Sequence, residues 1–195
     1  AVYTEKEVLE LLTVARNKPF GESLLPSVYN WALTVFGDGR MDAALAYFLE
    51  SAELYKAKNK KFAQAMSYFE IAMIHHKAKN LEEAKIYYEK TLTLGKDSLD
   101  VRTRINCYNG FALIHNDKNQ LDSALKAFRR AYRFAESHGD KIWMGILSGN
   151  IGSIHKYREA YDSSLFYYFR NLSFVRNTLE FENEIETYSN IGNTY

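Results

Sequence analysis

One interval constrains the fold of this chain more than any other feature of its sequence. Bulky residues recur at equal spacing at Met41, Leu81, Leu121 and Tyr161, and we call this spacing of forty positions the repeat interval. In the same register, one column holds small residues and the column before it holds bulky ones: Ala32, Ala72, Ala112, Gly152 and Gly192, preceded by Trp31, Ile71, Phe111, Ile151 and Ile191. Small side chains opposite bulky ones let neighbouring helices approach closely. Columns that keep one register without an insertion indicate an internal repeat.

Each repeat is predicted to contain two amphipathic helices. In residues 105–135, apolar residues recur at steps of three and four in both halves: Ile105, Tyr108, Phe111 and Ala112, then Leu121, Ala124, Leu125, Phe128, Ala131, Tyr132 and Ala135. This spacing places one apolar stripe on each helix, and the polar residues 116–120 form the turn between them. A helical hairpin cannot bury both stripes alone, so the repeats are expected to stack on one another.

Further columns indicate the kind of repeat. Aromatic residues follow a second column of small residues by four positions: Ala44, Ala84, Ala124 and Ser164, then Phe48, Tyr88, Phe128 and Tyr168. An acidic residue lies in the first turn of each second helix, where it complements the helix dipole: Asp42, Glu82, Asp122 and Asp162. Paired helices with such columns resemble the tetratricopeptide repeat from about Leu24 to Tyr195. The third repeat matches the signature of both helices at Tyr108, Phe111, Ala112, Ala124, Phe128 and Ala131.

This chain differs from the usual tetratricopeptide repeat in two respects. The usual repeat has about 34 residues, which is shorter than the repeat interval, so this chain is similar to the elongated variants of kinesin light chains and some bacterial signalling proteins. The proline that often closes a repeat is missing, because the only prolines are Pro19 and Pro26. The resemblance implies an all-α fold, namely a right-handed α-solenoid of helix–turn–helix units.

The repeats define the expected domain organisation. Residues 1–20 are predicted to form an N-terminal segment whose helix, Thr4 to Arg16, either caps the solenoid or belongs to a partial repeat. Repeat units are expected over residues 21–195: about 22–60, 61–100, 101–140, 141–180 and a truncated fifth from 181. A half unit would expose an apolar face, which suggests a region excised from a longer protein. We therefore expect an attached output domain beyond Tyr195 or, alternatively, a homodimer formed through the open repeat.

Charge and composition argue against two classes of partner. The chain has 25 basic and 24 acidic residues and a net charge of +1. This balance argues against nucleic acid as the main partner, because nucleic acid favours a concentrated basic surface. No apolar run approaches the roughly 20 residues that span a membrane. The single cysteine, Cys107, cannot form an internal disulfide, so nothing requires an oxidising compartment and a cytoplasmic location is favoured. Because the chain starts at Ala1 rather than at methionine, an upstream signal peptide and an extracytoplasmic location stay open.

The motif search predicts no enzyme, no cofactor and no metal. The sequence lacks a phosphate-binding glycine loop and a His-Glu-x-x-His pair. His75, His115 and His155 recur at the repeat interval, which would suit a row of metal or proton sites. Packed helix axes lie about 8–10 Å apart, and equivalent helices have another helix between them, whereas zinc ligands lie about 2.0–2.1 Å from one ion. The three histidines therefore cannot share a metal, and we expect them to pack between helices.

Other patterns have plain structural interpretations. The glycosylation sequon at Asn171 lies in a predicted helix. Gly145 and Gly149 are spaced like a membrane dimer motif, but in a repeat they are expected to allow close helix contact. Basic residues expected to face solvent form two groups: Lys56, Lys58, Lys60 and Lys61, then Arg129, Arg130 and Arg133.

The first helices carry the predicted binding surface. In the family that this chain resembles, they line a concave groove that holds peptides or helices of partner proteins. The residues expected on that face are Asn30, Phe69, Met73, His76, Asn109, Asn116, Asn150, Lys156, Tyr157, Asn190 and Asn193. Asn30, Asn150 and Asn190 share one repeat position, where a carboxamide offers two donors and an acceptor to a peptide backbone. Alternatively, these asparagines bond across neighbouring helices.

Two functions are consistent with this surface. The favoured one is a non-catalytic module that binds a peptide or a partner domain in the groove. The alternative is a sensory or regulatory region of a larger signal-transduction protein, such as a histidine kinase, a cyclase or a transcription regulator. In that alternative, ligand binding changes the curvature of the solenoid, an expectation that depends on the resemblance alone.

Overall fold

The computed structural model describes residue 10 and residues 25–37, 39–96, 98–176 and 181–195. Throughout these ranges the regular secondary structure is α-helical, which confirms the all-α helical repeat fold. The helices are α1 (Leu25–Gly37), α2 (Met41–Ala57), α3 (Lys61–Lys77), α4 (Leu81–Leu94), α5 (Val101–Asp117), α6 (Leu121–Ser137), α7 (Lys141–Tyr157), α8 (Tyr161–Val175) and α9 (Phe181–Gly192). The predicted helix from Thr4 to Arg16 lies outside the described residues, apart from Glu10. In the described ranges, no helix has both the length and the apolar character needed to cross a bilayer.

The turns between helices share one backbone conformation. Residues with a positive φ, between 54° and 79°, are separated by either half of the repeat interval or the whole of it: Gly39, Asn59, Lys79, Asn119, Gly139 and Glu159. A helix and the turn after it together fill half of the interval at α2, α3, α5, α6 and α7. Two glycines are expected to adopt a positive φ in the first turn; Gly39 does so, whereas Gly37 is the last residue of α1.

The link between α4 and α5 departs from this pattern. Gly95 is the C-cap residue of α4, where a glycine is expected at the end of a helix, but its φ of −90° is not left-handed. Glycine is needed for a different reason, because a Cβ at this position would lie 2.5 Å from Cγ of the buried Leu99. The next helix is capped by Asp100, whose carboxylate accepts a hydrogen bond from the backbone N–H of Thr103 at 2.9 Å.

The chain divides into two compact units, unit 1 up to Leu99 and unit 2 from Asp100. In unit 1, successive helices from α1 to α4 pack against each other. The core of unit 1 contains members of the predicted small and bulky columns together with other buried apolar residues: Ala32, Val35, Ala44, Phe48, Ile71 and Ile74.

Unit 2 has the same construction. Successive helices from α5 to α9 pack against each other, and α7 also contacts α5 and α9. Its main core contains Ile105, Ala112, Ala124, Phe128, Leu147, Ile151 and Ile154, and a smaller cluster contains Tyr168, Leu172 and Ile191.

Glycines in α7 let α8 approach closely. A Cβ on Gly152 would lie 2.9 Å from two ring carbons of Tyr168. A Cβ on Gly145 or Gly149 would lie 3.0 Å or 2.8 Å from the carboxamide of Asn171. These distances confirm the close helix contact predicted for Gly145 and Gly149.

The glycosylation sequon is buried in this packing. Asn171 is 3% exposed, and its Nδ2 donates to Thr187 Oγ1 at 2.7 Å and to Asn183 Oδ1 at 2.9 Å. The side chain therefore joins α8 to α9, and its amide is inaccessible to a glycosylating enzyme in the folded unit.

Candidate functional site

A cavity of about 640 Å³ lies between α5 and α7 in unit 2. Three of the predicted groove residues line it: Asn116 at the end of α5, and Asn150 and Tyr157 on α7. Its other walls are Leu113, Asp117, Asn119, Leu121, Phe128, Ser153 and Ile154. The volume is within the range of about 300–1,000 Å³ that is typical of ligand sites. We call it the α5–α7 cavity.

A hydrogen bond between helices orients Asn150. Its Nδ2 donates to Oδ1 of Asn109 at 3.0 Å. Asn109, predicted to lie on the groove surface, is only 9% exposed and is more deeply buried than Asn150. The bond uses one of the donors of Asn150, so the second N–H and the carbonyl oxygen can still meet a ligand. Bonding across helices and ligand binding are thus compatible at this position.

Polar groups of the α5–α7 cavity surround apolar ones. Ser153 Oγ lies 3.1 Å from the carbonyl oxygen of Gly149 and 3.1 Å from Oη of Tyr168, which fixes the hydroxyl. Tyr157 is 69% exposed at the edge of the cavity. Chemically, the cavity offers carboxamide donors and acceptors beside an apolar surface, which suits a peptide backbone with an apolar side chain.

Three of the groove residues predicted in unit 1 cluster around one buried tyrosine. Tyr88 is 1% exposed, and its hydroxyl donates to Sδ of Met73 at 3.2 Å. The rings of Phe69 and His76 lie 6.3 Å and 6.4 Å from its ring. Met73 itself is 37% exposed, so the cluster reaches the surface.

A counterpart of the Asn109–Asn150 bond exists in unit 1. There, Oη of Tyr29 donates to Oε1 of Glu70 at 3.1 Å, and both pairs join residues that are 41 positions apart. Burial raises the pKa of Glu70, and burial together with the nearby carboxylate raises the pKa of Tyr29. The sequence analysis allowed Asn150 a bond across helices but did not identify its partner, and it did not predict the Tyr29–Glu70 pair. A search for polar residues 41 positions apart would have found both pairs.

The remaining predicted residues lie elsewhere on the two units. Asn30 is exposed on α1, where its carbonyl accepts a bond from Thr34. Lys156 and Asn190 are half-buried on α7 and α9, and Asn193 is exposed after α9. None of these four lines the α5–α7 cavity.

The repeated histidines make packing contacts. His75 stacks on Tyr87 with ring centroids 5.6 Å apart, and His155 stacks on Tyr167 at 5.4 Å. Nδ1 of the third histidine, His115, lies 2.7 Å from Oε1 of the Gln120 side chain. In the described ranges, no group of three or more His, Cys, Asp or Glu side chains is arranged to hold a metal ion.

Cys107 is unsuited to nucleophilic chemistry. It is fully buried, and burial raises the pKa of its thiol to about 12. A thiol that stays protonated is a poor nucleophile.

Comparison with known proteins gives one family and several relatives. Residues 24–97 and 62–137 match the model of the tetratricopeptide repeat. Response regulator aspartate phosphatase E of Bacillus subtilis is 31% identical over 99 residues, which cover 50% of this chain and 26% of that protein. Transcriptional activator NprA of Geobacillus stearothermophilus is 17% identical over 140 residues, which cover 71% of this chain and 34% of that protein. The chain thus spans about a quarter to a third of these relatives.

Solved structures share the fold at low sequence identity. The apo form of the quorum sensor NprR from B. thuringiensis has a TM-score of 0.77 at 22% identity, covering 97% of this chain and 53% of that one. NprR in complex with its cognate peptide NprX has a TM-score of 0.71 at 23% identity, with 97% and 55% covered. BtubC from P. vanneervenii has a TM-score of 0.76 at 16% identity, with 97% and 79% covered.

Proposed function

The chain belongs to the tetratricopeptide repeat family, and we propose that its α5–α7 cavity binds an extended peptide segment of a partner protein. The observation that carries this proposal is that Asn116, Asn150 and Tyr157, each predicted as a groove residue, line one cavity. The proposed activity is non-catalytic binding without a cofactor.

The proposed binding mode uses both kinds of surface in the cavity. The carboxamides of Asn116 and Asn150 hydrogen-bond the backbone of the peptide, and one apolar side chain of the peptide contacts Leu113 and Leu121. Asn109 acts as a positioning residue, because its hydrogen bond holds Asn150 in place before the peptide arrives. A preoriented side chain loses less conformational entropy on binding.

Unit 1 provides a second proposed contact region. Phe69, Met73 and His76 gather around Tyr88 and combine an aromatic ring, a thioether and an imidazole. Methionine adapts its shape to apolar ligands, which supports contact with another part of the partner. Asn30, Lys156, Asn190 and Asn193 stay predicted groove residues.

A regulatory role within a larger protein is the second candidate function. One relative is named a response regulator phosphatase, another a transcriptional activator, and one structural neighbour is a quorum sensor solved with its cognate peptide. These activities belong to those proteins, and this chain spans only part of their length. In this candidate, the bound peptide favours one conformation of the repeats, to which an attached domain responds.

Selection of peptides on the chain tests the proposed site. Peptides are selected from a random displayed library, and the affinity of each is measured by titration calorimetry. We expect Asn150→Ala and Tyr157→Ala to weaken binding by about tenfold, because each removes a direct contact. Asn109→Ala should weaken binding less, because it frees Asn150 without removing it.

An asparagine elsewhere serves as the matched control. Asn80 is exposed, lies before α4 and makes no side-chain capping bond, so Asn80→Ala should leave the affinity unchanged. Thermal unfolding confirms that all variants are equally folded. Selected peptides that bind Asn150→Ala and Tyr157→Ala as tightly as the parent chain would exclude the α5–α7 cavity as the binding site.

A further inference from the structure

A second cavity in unit 2 is lined by arginines. It has a volume of about 260 Å³ and lies among α6, α7 and α8, on residues that the α5–α7 cavity does not use. Its lining consists of Arg129, Tyr132, Arg133, Glu136, Ile151, Tyr167 and Arg170. We call it the arginine cavity. Sequence analysis assigned Arg129 and Arg133 only to solvent.

Two of the arginines are available to a ligand. Arg129 and Arg133 are one helical turn apart on α6, so they extend from the same face of that helix. Other arginines of unit 2 are paired: Arg158 bonds Asp122 at 2.8 Å, and Arg102 bonds Asp140 at 2.8 Å. Among the described residues, no carboxylate pairs with Arg129 or Arg133.

The other walls of the arginine cavity are fixed before a ligand binds. Arg170 donates from Nη2 to Oη of Tyr132 at 2.7 Å, and its guanidinium carbon lies 4.8 Å from the centre of that ring. The ring of Tyr167 is held by His155 at 5.4 Å. Ile151 is 2% exposed and forms an apolar floor. Rigid walls reduce the entropy that binding would cost.

The local potential is positive. Three guanidinium groups face one carboxylate, that of Glu136, which leaves two net positive charges around the cavity. The pKa of the neighbouring His155 is lowered by burial and also by the positive charges of Arg129 and Arg158. A histidine that resists protonation is consistent with this surplus of positive charge.

We propose that the arginine cavity binds a phosphate monoester carried on an aromatic ring. A phosphate monoester has a charge of about −1.5 to −2 at pH 7, which matches the surplus of two positive charges better than a single carboxylate does. A planar guanidinium group can donate two parallel hydrogen bonds to two oxygens of one phosphate. The rings of Tyr132 and Tyr167 and the floor at Ile151 contact the apolar part of the ligand. The cavity is smaller than a typical site for a drug-sized molecule, so it takes one side chain or a small aryl ester.

Titration with phenyl phosphate tests the arginine cavity directly. Binding is measured by calorimetry on the whole chain, with inorganic phosphate as the second probe. We expect saturable binding of phenyl phosphate that is tighter than binding of inorganic phosphate, because only the ester contacts the rings. Arg129→Gln and Arg133→Gln should each lower the affinity for phenyl phosphate by about tenfold. Glu136→Gln should raise this affinity, because the substitution removes a carboxylate that repels the phosphate.

Arg130 provides the matched control. It is exposed on the same helix and carries the same charge, but it lies over the ring of Tyr108 and outside the cavity. Arg130→Gln should therefore change the affinity by less than about twofold, since solvent and salt screen a distant charge. Equal losses in Arg130→Gln and Arg129→Gln would overturn the proposal, as would equal affinity for phenyl phosphate and inorganic phosphate, or no saturable binding.

A last comparison identifies the source of the ligand. Free O-phosphotyrosine is compared with a capped peptide that contains phosphotyrosine. Tighter binding of the peptide would indicate that the natural ligand of the arginine cavity is a phosphorylated partner chain. Equal binding would indicate that its natural ligand is a small aryl phosphate.

Discussion

Equivalent faces of the two units, separated by two repeat intervals in the sequence, share a framework and differ in charge. In unit 1, His75 stacks on Tyr87 at 5.6 Å, and in unit 2, His155 stacks on Tyr167 at 5.4 Å. The bulky column also has the same residue at this point, because Ile71 on α3 and Ile151 on α7 are both isoleucines, and both are buried. Both units thus share the stacked histidine and tyrosine and the buried isoleucine, and we call these residues the framework of this face.

The charged residues on this framework are different. In unit 1, the positions of Arg129, Tyr132, Arg133, Glu136 and Arg170 are occupied by Leu49, Ala52, Glu53, Lys56 and Lys90. Glu53 and Lys56 pair with each other at 3.4 Å, and Lys90 lies 4.4 Å from the ring of Tyr87. The stacked histidine and tyrosine therefore do not require the arginines, which are a separate feature of unit 2.

The largest expected effect tests whether the tyrosine that follows the framework tyrosine is equally important in both units. Tyr88 and Tyr168 are each 1% exposed, and each hydroxyl is within 3.2 Å of a residue on the preceding helix. Tyr88→Ala and Tyr168→Ala should each lower the free energy of unfolding by about 3–5 kcal/mol, as measured by urea denaturation. The exposed Tyr157→Ala should stay within about 0.5 kcal/mol. A much smaller loss in one unit would show that the two tyrosines are not equivalent.

A smaller effect is expected where the units differ by one methyl group. Gly152→Ala should lower the free energy of unfolding by about 1–3 kcal/mol, because its Cβ would lie 2.9 Å from the ring of Tyr168. At the equivalent position of unit 1, Ala72→Gly should cost about 1 kcal/mol through lower helix propensity.

Gly192 is the control for this pair of variants. A Cβ there meets no atom within 4 Å, so Gly192→Ala should be neutral or slightly stabilising in the same urea denaturation. If Gly152→Ala behaved like Gly192→Ala, Tyr168 would be free to move away from α7.

The smallest expected effect is a pH dependence that comes from unit 2. The pKa of His155 is lowered in the folded chain from its usual 6.5, by burial and then by Arg129 and Arg158. The imidazole of His155 binds a proton more readily in the unfolded chain than in the folded chain. The contribution of His155 to the free energy of unfolding is therefore complete above pH 6.5 and declines as the pH falls below 6.5 toward the folded pKa. His155→Phe keeps a ring beside Tyr167 and should flatten the dependence of the unfolding free energy on pH.

An NMR titration measures the pKa of His155 itself. The midpoint of its imidazole signals should lie below 6.5 and should rise in Arg129→Gln. A midpoint at or above 6.5 would contradict the positive potential assigned to this face.

The fold was predictable because its signals repeat. The columns that contain Ala72, Gly152 and Tyr168 recur at the repeat interval, and Asp42 lies in the first turn of α2, as predicted. Each repeat supplied independent evidence for the same two helices. Gly95 ends α4 as a glycine is expected to, but the close approach of Leu99, which requires glycine there, is not visible in the sequence pattern.

The candidate sites were less predictable, because they depend on contacts between repeats. Sequence periodicity placed Asn109 and Asn150 on one surface, but it did not show that Asn109 is buried and bonded to Asn150. The arginine cavity combines residues from three helices, and Arg170 reaches Tyr132 across 38 positions. Pattern analysis of single helices therefore assigned Arg129 and Arg133 to solvent.

The left-handed turns have a consequence for how such a gene can change length. The left-handed turns from Gly39 to Glu159 recur at half of the repeat interval, except across the link between α4 and α5, whereas the columns of side chains follow the whole interval. A deletion of one helix with its turn would preserve the spacing of the turns but would put side chains of a second helix where side chains of a first helix belong. Only the loss or gain of a whole repeat interval preserves both patterns. Insertions and deletions in the gene are therefore expected to add or remove pairs of helices rather than single helices.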